Sequence, residues 1–405
     1  MNSGPTSPTI PTPRLALLGA FPYPYPQGSQ VFFTEQAQAL QTAGSRPTLF
    51  TYGAGRGTPP EDLRLVRSFA RLSPRTLKSG PQWGKPLADL GLLASWIAGA
   101  RRARREGDPF AFALAHNVEA AVVGLMSRRL TGVPTVYVAH TLLREELSAY
   151  LPERLEAEAD RMGLWIERSI ARRADAIITL CPEARGELAP HARGPVALIP
   201  PGYSPRPVPS AAEQAQSCRR YGLAVGEYIL YSGNLDRYQD LELLAEAAGR
   251  LPPEAGPVVI ASHAESEPAT RDLDPVPGGA VRRIRVQDYA QMRSLIWGAR
   301  CLVATRKRVG GFPIKLLSYM EAGRPIVAFA GAAPGLVHDE SAHLLHRDSG
   351  ARELATALSA LVRDPERSQR LGAGARSQLE NQHPWPSVAE RSLAFLADPS
   401  SADCC

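Results

Sequence analysis

Residues 301–331 read CLVATRKRVGGFPIKLLSYMEAGRPIVAFAG, and their pattern decides the fold. Cys301 to Ala304 is a short apolar run with the length of a buried strand. Three cations follow, Arg306, Lys307 and Arg308, and then Gly310-Gly311 leads into Phe312-Pro313. Proline suits the first position of a helix, where its missing N–H would have no partner anyway. The helix predicted from there carries Ile314, Leu317 and Met320 on one apolar stripe and stops at Gly323. Pro325 to Phe329 is the next strand. A helix that opens behind two glycines presents bare N–H groups and the positive end of its dipole, which attract an anion. Arg306, Lys307, Arg308 and Lys315 lie close by in sequence. The same text also fits an ordinary βαβ crossover with a solvated basic loop, and the stretch by itself leaves both readings open.

Upstream of this stretch, Glu227 to Ser232 opens a sheet with YILYSG and runs into the turn NLDRYQD, where Arg237 is the cation. Pro257 to Ser262 and Val281 to Val286 are further strands, and Asp288 to Ala299 is a helix. Downstream come a loop with Gly331 and Gly335, a strand at Ala342 to His346, helices over 351–363 and 366–381, and an amphipathic helix over 384–396. Strands alternating with helices in this way specify a parallel, doubly wound sheet.

The first half repeats the pattern. RLALLGAF, Arg14 to Phe21, is a strand that runs through PYPYPQGSQ into a helix over Val31 to Ala43. Strand, glycine loop and helix make the first unit of a Rossmann-like half, but G-x-G-x-x-G is absent, which argues against a dehydrogenase. Pro47 to Tyr52 is a second strand, and 53–86 is long for a connection. Leu87 to Ile97 is an apolar helix followed by RRARREG. That basic end suits a solvated last turn, and it also suits rest on an anionic membrane surface. Phe110 to Ala115 and Pro134 to Ala139 are strands ending at His116 and His140. Ligands of open α/β sheets bind at such ends, and histidine there can bond a hydroxyl or orient a reacting group. Glu145 to Ala171 reads as one charged helix, Val196 to Pro200 as the last strand of this half, and PPGYSPRPVPS over 200–210 as the domain linker. About six strands fall to each half.

Composition sets the outer limits. With 405 residues, two domains are expected. The net charge is +6, yet only positions 78, 85, 307 and 315 are lysine. That arginine excess reads as the codon bias of a GC-rich genome, and no nucleic-acid partner is expected. A diffuse positive charge still suits anionic ligands. Five scattered cysteines, 181, 218, 301, 404 and 405, lack zinc spacing, and no metal site is expected. MNSGPTSPTIPTPR lacks signal-peptide order and no apolar run is long enough to span a bilayer, so the expected place is cytoplasmic, with peripheral contact at the inner membrane face as an extension.

GFPIKLLSYMEAGRPIVA resembles the donor-site motif of retaining GT-B glycosyltransferases of the family-4, group 1 type. PYPQGSQ is similar to the first loop of that family, GPQWGKPLADL (80–90) to a segment of one branch, and IERSIARRADAIITL to its helix and strand before the interdomain region. The resemblance covers nearly the whole chain after Arg14. It implies two Rossmann-like doubly wound domains facing across a cleft: a lead over 1–13, an acceptor domain over 14–203, a nucleotide-sugar domain over 204–383, a helix over 384–398 packing back on the first domain, and a tail over 399–405. It implies transfer of a sugar from a nucleotide sugar to a glycan, lipid-linked or small-molecule acceptor. The nucleotide sugar enters as a substrate, with no cofactor, no required metal and no protein nucleophile.

Carried over position by position, the resemblance gives His116 the contact to the transferred sugar. It places donor binding at Gly28, Asn234, Gly310, Gly311, Phe312, Pro313, Ile314 and Ser318, and the nearby charges of Arg237, Arg306 and Lys315 are expected to join them in place of the family's cations. Acceptor binding falls to His140, Ser29 and Gln30. The sequence departs from the family pattern at four of its positions. Gly310 and Ser318 stand where the family has two acids, the second of which holds the ribose. Asn234 and Gln239 stand at and near the places of its arginine and lysine. Glu321, three residues beyond Ser318, is a carboxylate on a nearby helical face. These losses also fit a pseudoenzyme that serves as a binding or scaffold subunit. A nucleotide-sugar epimerase of the same fold is a third reading.

Overall fold

The computed structural model describes residues 12–25, 28–69, 85–150, 153–263, 281–308 and 310–398. The first half runs β1 (Arg14–Gly19), α1 (Gly28–Thr42), β2 (Arg46–Thr51), β3 (Arg64–Arg67), α2 (Lys85–Arg105), β4 (Phe112–His116), α3 (Asn117–Thr131), β5 (Thr135–Ala139), α4 (Leu143–Tyr150), α5 (Glu156–Ala171), β6 (Ala176–Thr179), α6 (Pro182–Leu188) and β7 (Val196–Leu198). The second runs α7 (Ala211–Arg220), β8 (Ile229–Ser232), α8 (Leu241–Ala248), β9 (Val258–Ser262), β10 (Val281–Arg285), α9 (Tyr289–Gly298), β11 (Cys301–Val303), α10 (Lys315–Ala322), β12 (Ile326–Phe329), β13 (His343–Leu345), α11 (Ala351–Arg363), α12 (Pro365–Gln382) and α13 (Trp385–Ala397).

The strands form two sheets, in the orders β3-β2-β1-β4-β5-β6-β7 and β10-β9-β8-β11-β12-β13. All their pairings are parallel. Parallel strands covered on both faces must be apolar throughout, and β1, β5, β6, β8, β9 and β12 are buried along their whole length. This is the two-domain doubly wound architecture that the resemblance implied. In each sheet the strand order reverses once, between β1 and β4 and between β8 and β11. A crevice opens at such a reversal, outside the carboxyl ends of the strands. The β1–α1 loop and His116 flank the first crevice; the turn after β8 and the loop after β11 flank the second.

Four local readings are corrected. The first sheet has seven strands, because the long 53–86 connection contributes β3, an edge strand with an arginine at each end. Residues 70–84, and with them the start of GPQWGKPLADL, lie outside the described residues, as do most of the lead and all of the tail. The helix expected over Leu87 to Ile97 extends from Lys85 to Arg105, because RRARR continues the helix and puts Arg102, Arg104 and Arg105 in its last turn. The helix expected over Glu145 to Ala171 is two helices, α4 and α5, with a short helical turn over Glu153–Leu155 leading into the second. Pro313 does not begin α10: its carbonyl accepts the Leu316 amide in a tight turn, and the helix starts at Lys315.

The two halves are tied at their backs. α13 packs on α1, with the Phe32 and Trp385 ring centroids 5.6 Å apart and the Trp385 indole N–H donating to Glu35 at 3.0 Å. The two passages of the chain between the halves run side by side: the Tyr203 amide donates to the His383 carbonyl at 2.7 Å, and His383 Nδ1 lies 2.6 Å from the Pro201 carbonyl oxygen.

Candidate functional site

Both halves bring glycines to the cleft. A Cβ added to Gly28, the first residue of α1, would lie 3.7 Å from Ile314 of the other half. The N-terminus of α1 and the loop before α10 thus face each other. Ser29 is half-buried in the first turn of α1. Gln30 is buried with its side-chain oxygen unpartnered, and it lines a cavity of about 260 Å³ with Tyr23, Tyr25, Glu35 and Arg206.

Deeper in the first half, β4 and β5 end on adjacent histidines. His116 Nδ1 and His140 Nε2 share a hydrogen bond of 2.8 Å, with Phe33 edge-on to His116 and Phe32 edge-on to His140. Burial holds His140 down to about pKa 3; burial and the neighbouring His140 hold His116 well below the usual imidazole range. Both rings are therefore neutral. With Nδ1 engaged, the Nε2 of His116 is a buried polar atom without a hydrogen-bond partner.

The Gly310-Gly311 pair presses against the His140 strand end. A Cβ at Gly311 would fall 2.1 Å from the His140 carbonyl oxygen, and Thr141 and Gly311 form an antiparallel bridge. The Leu142 amide donates to the Gly310 carbonyl. A Cβ at Gly310 would meet Arg306 Nη2 at 2.5 Å and the Glu145 Cβ at 2.8 Å. The place of the missing family acid is thus filled by groups from both halves. Burial raises the Glu145 pKa, opposed by Arg308, Arg144 and Arg306. Arg308 also pairs with Glu156 across the cleft. Phe312 is buried edge-on to His383, with centroids 5.4 Å apart.

The cations gather around the second crevice. Lys315 Nζ donates to Gln239 Oε1 at 2.9 Å and lies 4.0 Å from the centroid of the Tyr231 ring. Gly233 leaves room for it, since a Cβ there would lie 3.0 Å from Nζ. Burial, and next the charge of Arg306, push the Lys315 pKa down to about 7. Arg306 stacks over Tyr238, 5.2 Å from its centroid. Asn234 accepts from Gln239 at 2.8 Å and donates to the Tyr238 hydroxyl at 2.7 Å. Arg237 is exposed in the short helical turn that follows. Lys307 stands apart, near Asp240 and the Phe329 ring.

Ser318 lies on a separate flank, its hydroxyl 3.2 Å from the Tyr289 hydroxyl. Glu321 does not replace the absent acid: it is buried in a salt bridge with Arg293 at 2.6 Å, and Arg293 also donates to the Pro207 carbonyl. Sequence reasoning did not single out Tyr231, Tyr238 or Glu145. The tyrosines had a signal, a strand ending YSG and a turn carrying Tyr beside Arg; Glu145 had none. Among the described residues, no group of three His, Cys, Asp or Glu side chains could hold a metal ion, and no helix is long and apolar enough to cross a membrane.

Two parallel sheets facing across a cleft that carries glycines and arginine and lysine side chains, with a buried histidine pair beneath it, define a GT-B glycosyltransferase fold. Residues 27–202 match the model of a glycosyl transferase 4-like domain, and residues 226–364 match that of the glycosyl transferases group 1. The chain belongs to this family-4, group 1 type of glycosyltransferase. It is similar to a D-inositol 3-phosphate glycosyltransferase of Xylanimonas cellulosilytica, at 26% identity over 95% of this chain and 96% of the relative. It is also similar to an alpha-D-kanosaminyltransferase of Streptomyces kanamyceticus, at 26% identity over 85% and 94%. Among solved structures, sucrose-phosphate synthase of Thermosynechococcus elongatus aligns with a TM-score of 0.75 and 18% identity over 96% of this chain and all of that one. HepE of Anabaena, solved with UDP-glucose, aligns with a TM-score of 0.69 and 15% identity over 95% and 99%.

Proposed function

We propose that this glycosyltransferase takes its sugar from a nucleotide sugar and passes it, with retention at the anomeric carbon and without a bound metal, to a hydroxyl of its acceptor. One observation carries the donor reading. Lys315 is held without a carboxylate in hydrogen-bonding contact; burial and Arg306 oppose its charge and outweigh the more distant support of Asp236. An arrangement that disfavours its own positive charge is relieved by an anion. A diphosphate fits, because breaking the sugar–phosphate bond leaves negative charge on the phosphate oxygens. Lys315, Arg306 and the amides before α10 would stabilise that charge as it develops. UDP-glucose in the Anabaena neighbour supports the same donor class.

His116 would bond a hydroxyl of the transferred sugar through its unpartnered Nε2. Hydrogen-bonded to each other, the two histidines would orient the sugar rather than attack it. His140, Ser29 and Gln30 belong to the acceptor side in this reading. The Xylanimonas relative is named for an inositol phosphate, which places small hydroxylated acceptors in the test set.

A second reading, a binding subunit without turnover, is favoured by one observation: the Gly310 position has no room for an acid, and Glu321 is committed to Arg293. Incubation of the purified protein with UDP-, GDP- and ADP-sugars separates the two. Release of nucleotide in the presence of an acceptor supports transfer. A melting-temperature rise without release supports the binding subunit, and neither response overturns the donor reading.

A further inference from the structure

We propose that the outward face of α2, α3 and α5 docks on an anionic lipid bilayer. These three helices cover one face of the first sheet, and their inward residues share one core with β1, β2, β4, β5 and β6. α3 lies between the other two. Lys85 and Glu119 pair at the starts of α2 and α3, the Trp96 indole donates to Ser127 midway, and Gly132 lies beside Arg104 near their ends.

The outward residues of this layer are apolar in a way that solvent does not explain. Val122, Met126 and Leu130 recur every fourth residue along α3, a stripe with steps of about 6 Å. Leu87 and Leu90 on α2 and Met162 and Trp165 on α5 lie on its two flanks. Met126 is 62% exposed and Trp165 68%. Large exposed hydrophobic side chains are much sparser on the second half, where Val208, Val225, Tyr289 and Val337 are scattered. Single exposed apolar residues are ordinary, but a run across three neighbouring helices marks an interaction surface.

Charge identifies the occupant. The carboxylates around this layer are mostly committed: Glu119 to Lys85, Glu106 to Arg102, Asp160 to Arg144, Glu158 to Arg161 and Asp175 to Arg128. Arg101, Arg104, Arg129 and Arg172 are exposed at the far end of the same helices, and among the described residues no carboxylate pairs with them. Apolar side chains beside uncompensated arginines match the acyl boundary and the anionic headgroups of a bilayer. His116 is the N-cap of α3, so the first turn of the docking layer lies at the histidine end of the cleft.

The test uses the full chain, without donor or acceptor, so its failure leaves the transfer reading untouched. The protein is sedimented with vesicles of phosphatidylcholine alone and of phosphatidylcholine with phosphatidylglycerol. Binding is expected only to the second and is expected to weaken as salt rises. Arg104→Gln and Arg129→Gln are each expected to lower the partition coefficient about fivefold. Met126→Asp is expected to lower it about tenfold or more, since it replaces an apolar side chain of the contact with a charged one. All three variants should keep the wild-type melting temperature. Absence of binding, equal binding to both vesicles, or wild-type binding by folded variants overturns the proposal. A dimer that Met126→Asp dissociates also overturns it, by assigning the face to a second copy of the chain.

Discussion

The carbonyl of His140 and the α-carbon of Gly311 are packed so closely that a Cβ on the glycine would sit 2.1 Å from the carbonyl oxygen. One residue directly follows β5 of the first sheet, and the other lies in the loop before α10 of the second half. Gly311→Ala must therefore push the halves apart or bend the loop. Overpacking of this kind costs ~1–3 kcal/mol. The variant is expected to melt lower and to bind nucleotide sugar more weakly. Calorimetry checks both, and wild-type values for both would show that the contact is slack.

Lys315→Met removes the cation proposed for the diphosphate and leaves Gln239 behind. A hydrogen bond to a charged group is worth ~1.5–3 kcal/mol, so donor affinity should fall by roughly ten- to a hundredfold. Titration calorimetry with the nucleotide sugar that stabilises the wild type is the measurement. Unchanged affinity removes Lys315 from the site.

The same lysine gives a pH signature. Its folded pKa is about 7, below the ordinary lysine value near ~10.4. Between those two values the unfolded chain holds the extra proton, so this group's contribution to stability rises with pH across that window and is absent below about 7. An anionic donor favours the protonated form. Binding near about pH 8 should therefore take up a proton, read as a dependence of the calorimetric heat on buffer ionisation enthalpy. Lys315→Met should abolish that dependence.

The histidine pair acts in the acid range. Both folded pKa values lie below the ordinary value near ~6.5, with His140 at about 3. Their contribution is complete above about 6.5 and is lost as pH falls toward the folded values, because the unfolded chain then binds protons first. Each group contributes up to ~1.4 kcal/mol per pH unit in that window. Melting temperatures of wild type and His116→Asn/His140→Asn from neutral to acid pH check this. The double variant should show the shallower fall.

Glu321→Ala separates support from binding. It leaves the Arg293 guanidinium buried beside the linker without its carboxylate, a loss of ~3–5 kcal/mol for a pair of this kind. Stability is expected to drop while the donor dissociation constant of the folded protein stays the same. A matching drop in affinity would return Glu321 to the donor site.

The sheets were legible because buried parallel strands must be apolar runs, and LALLG, VYVA, YILYS and IVAF have no other reading. β3 was not, because RLVR is a short edge strand and its face is half wet. The start of α10 was not legible from Pro313, which lies two residues before the helix and whose carbonyl closes a turn on the Leu316 amide. The glycine loops, the histidine strand ends and the cations were readable one half at a time. What fills the space at Gly310 was not: Glu145 lies far away in sequence on the other half, and only the folded chain brings its side chain there.

The paired passages at Tyr203 and His383 act like a door hung on two adjacent hinges. Either strand alone would let one half swivel freely against the other. Side by side and bonded, they leave a swing about one axis as the movement that keeps the Tyr203–His383 and His383–Pro201 contacts intact, so a change of one angle would open or close the cleft. A spectroscopic distance taken across the mouth of the cleft would then suffice to report the whole movement.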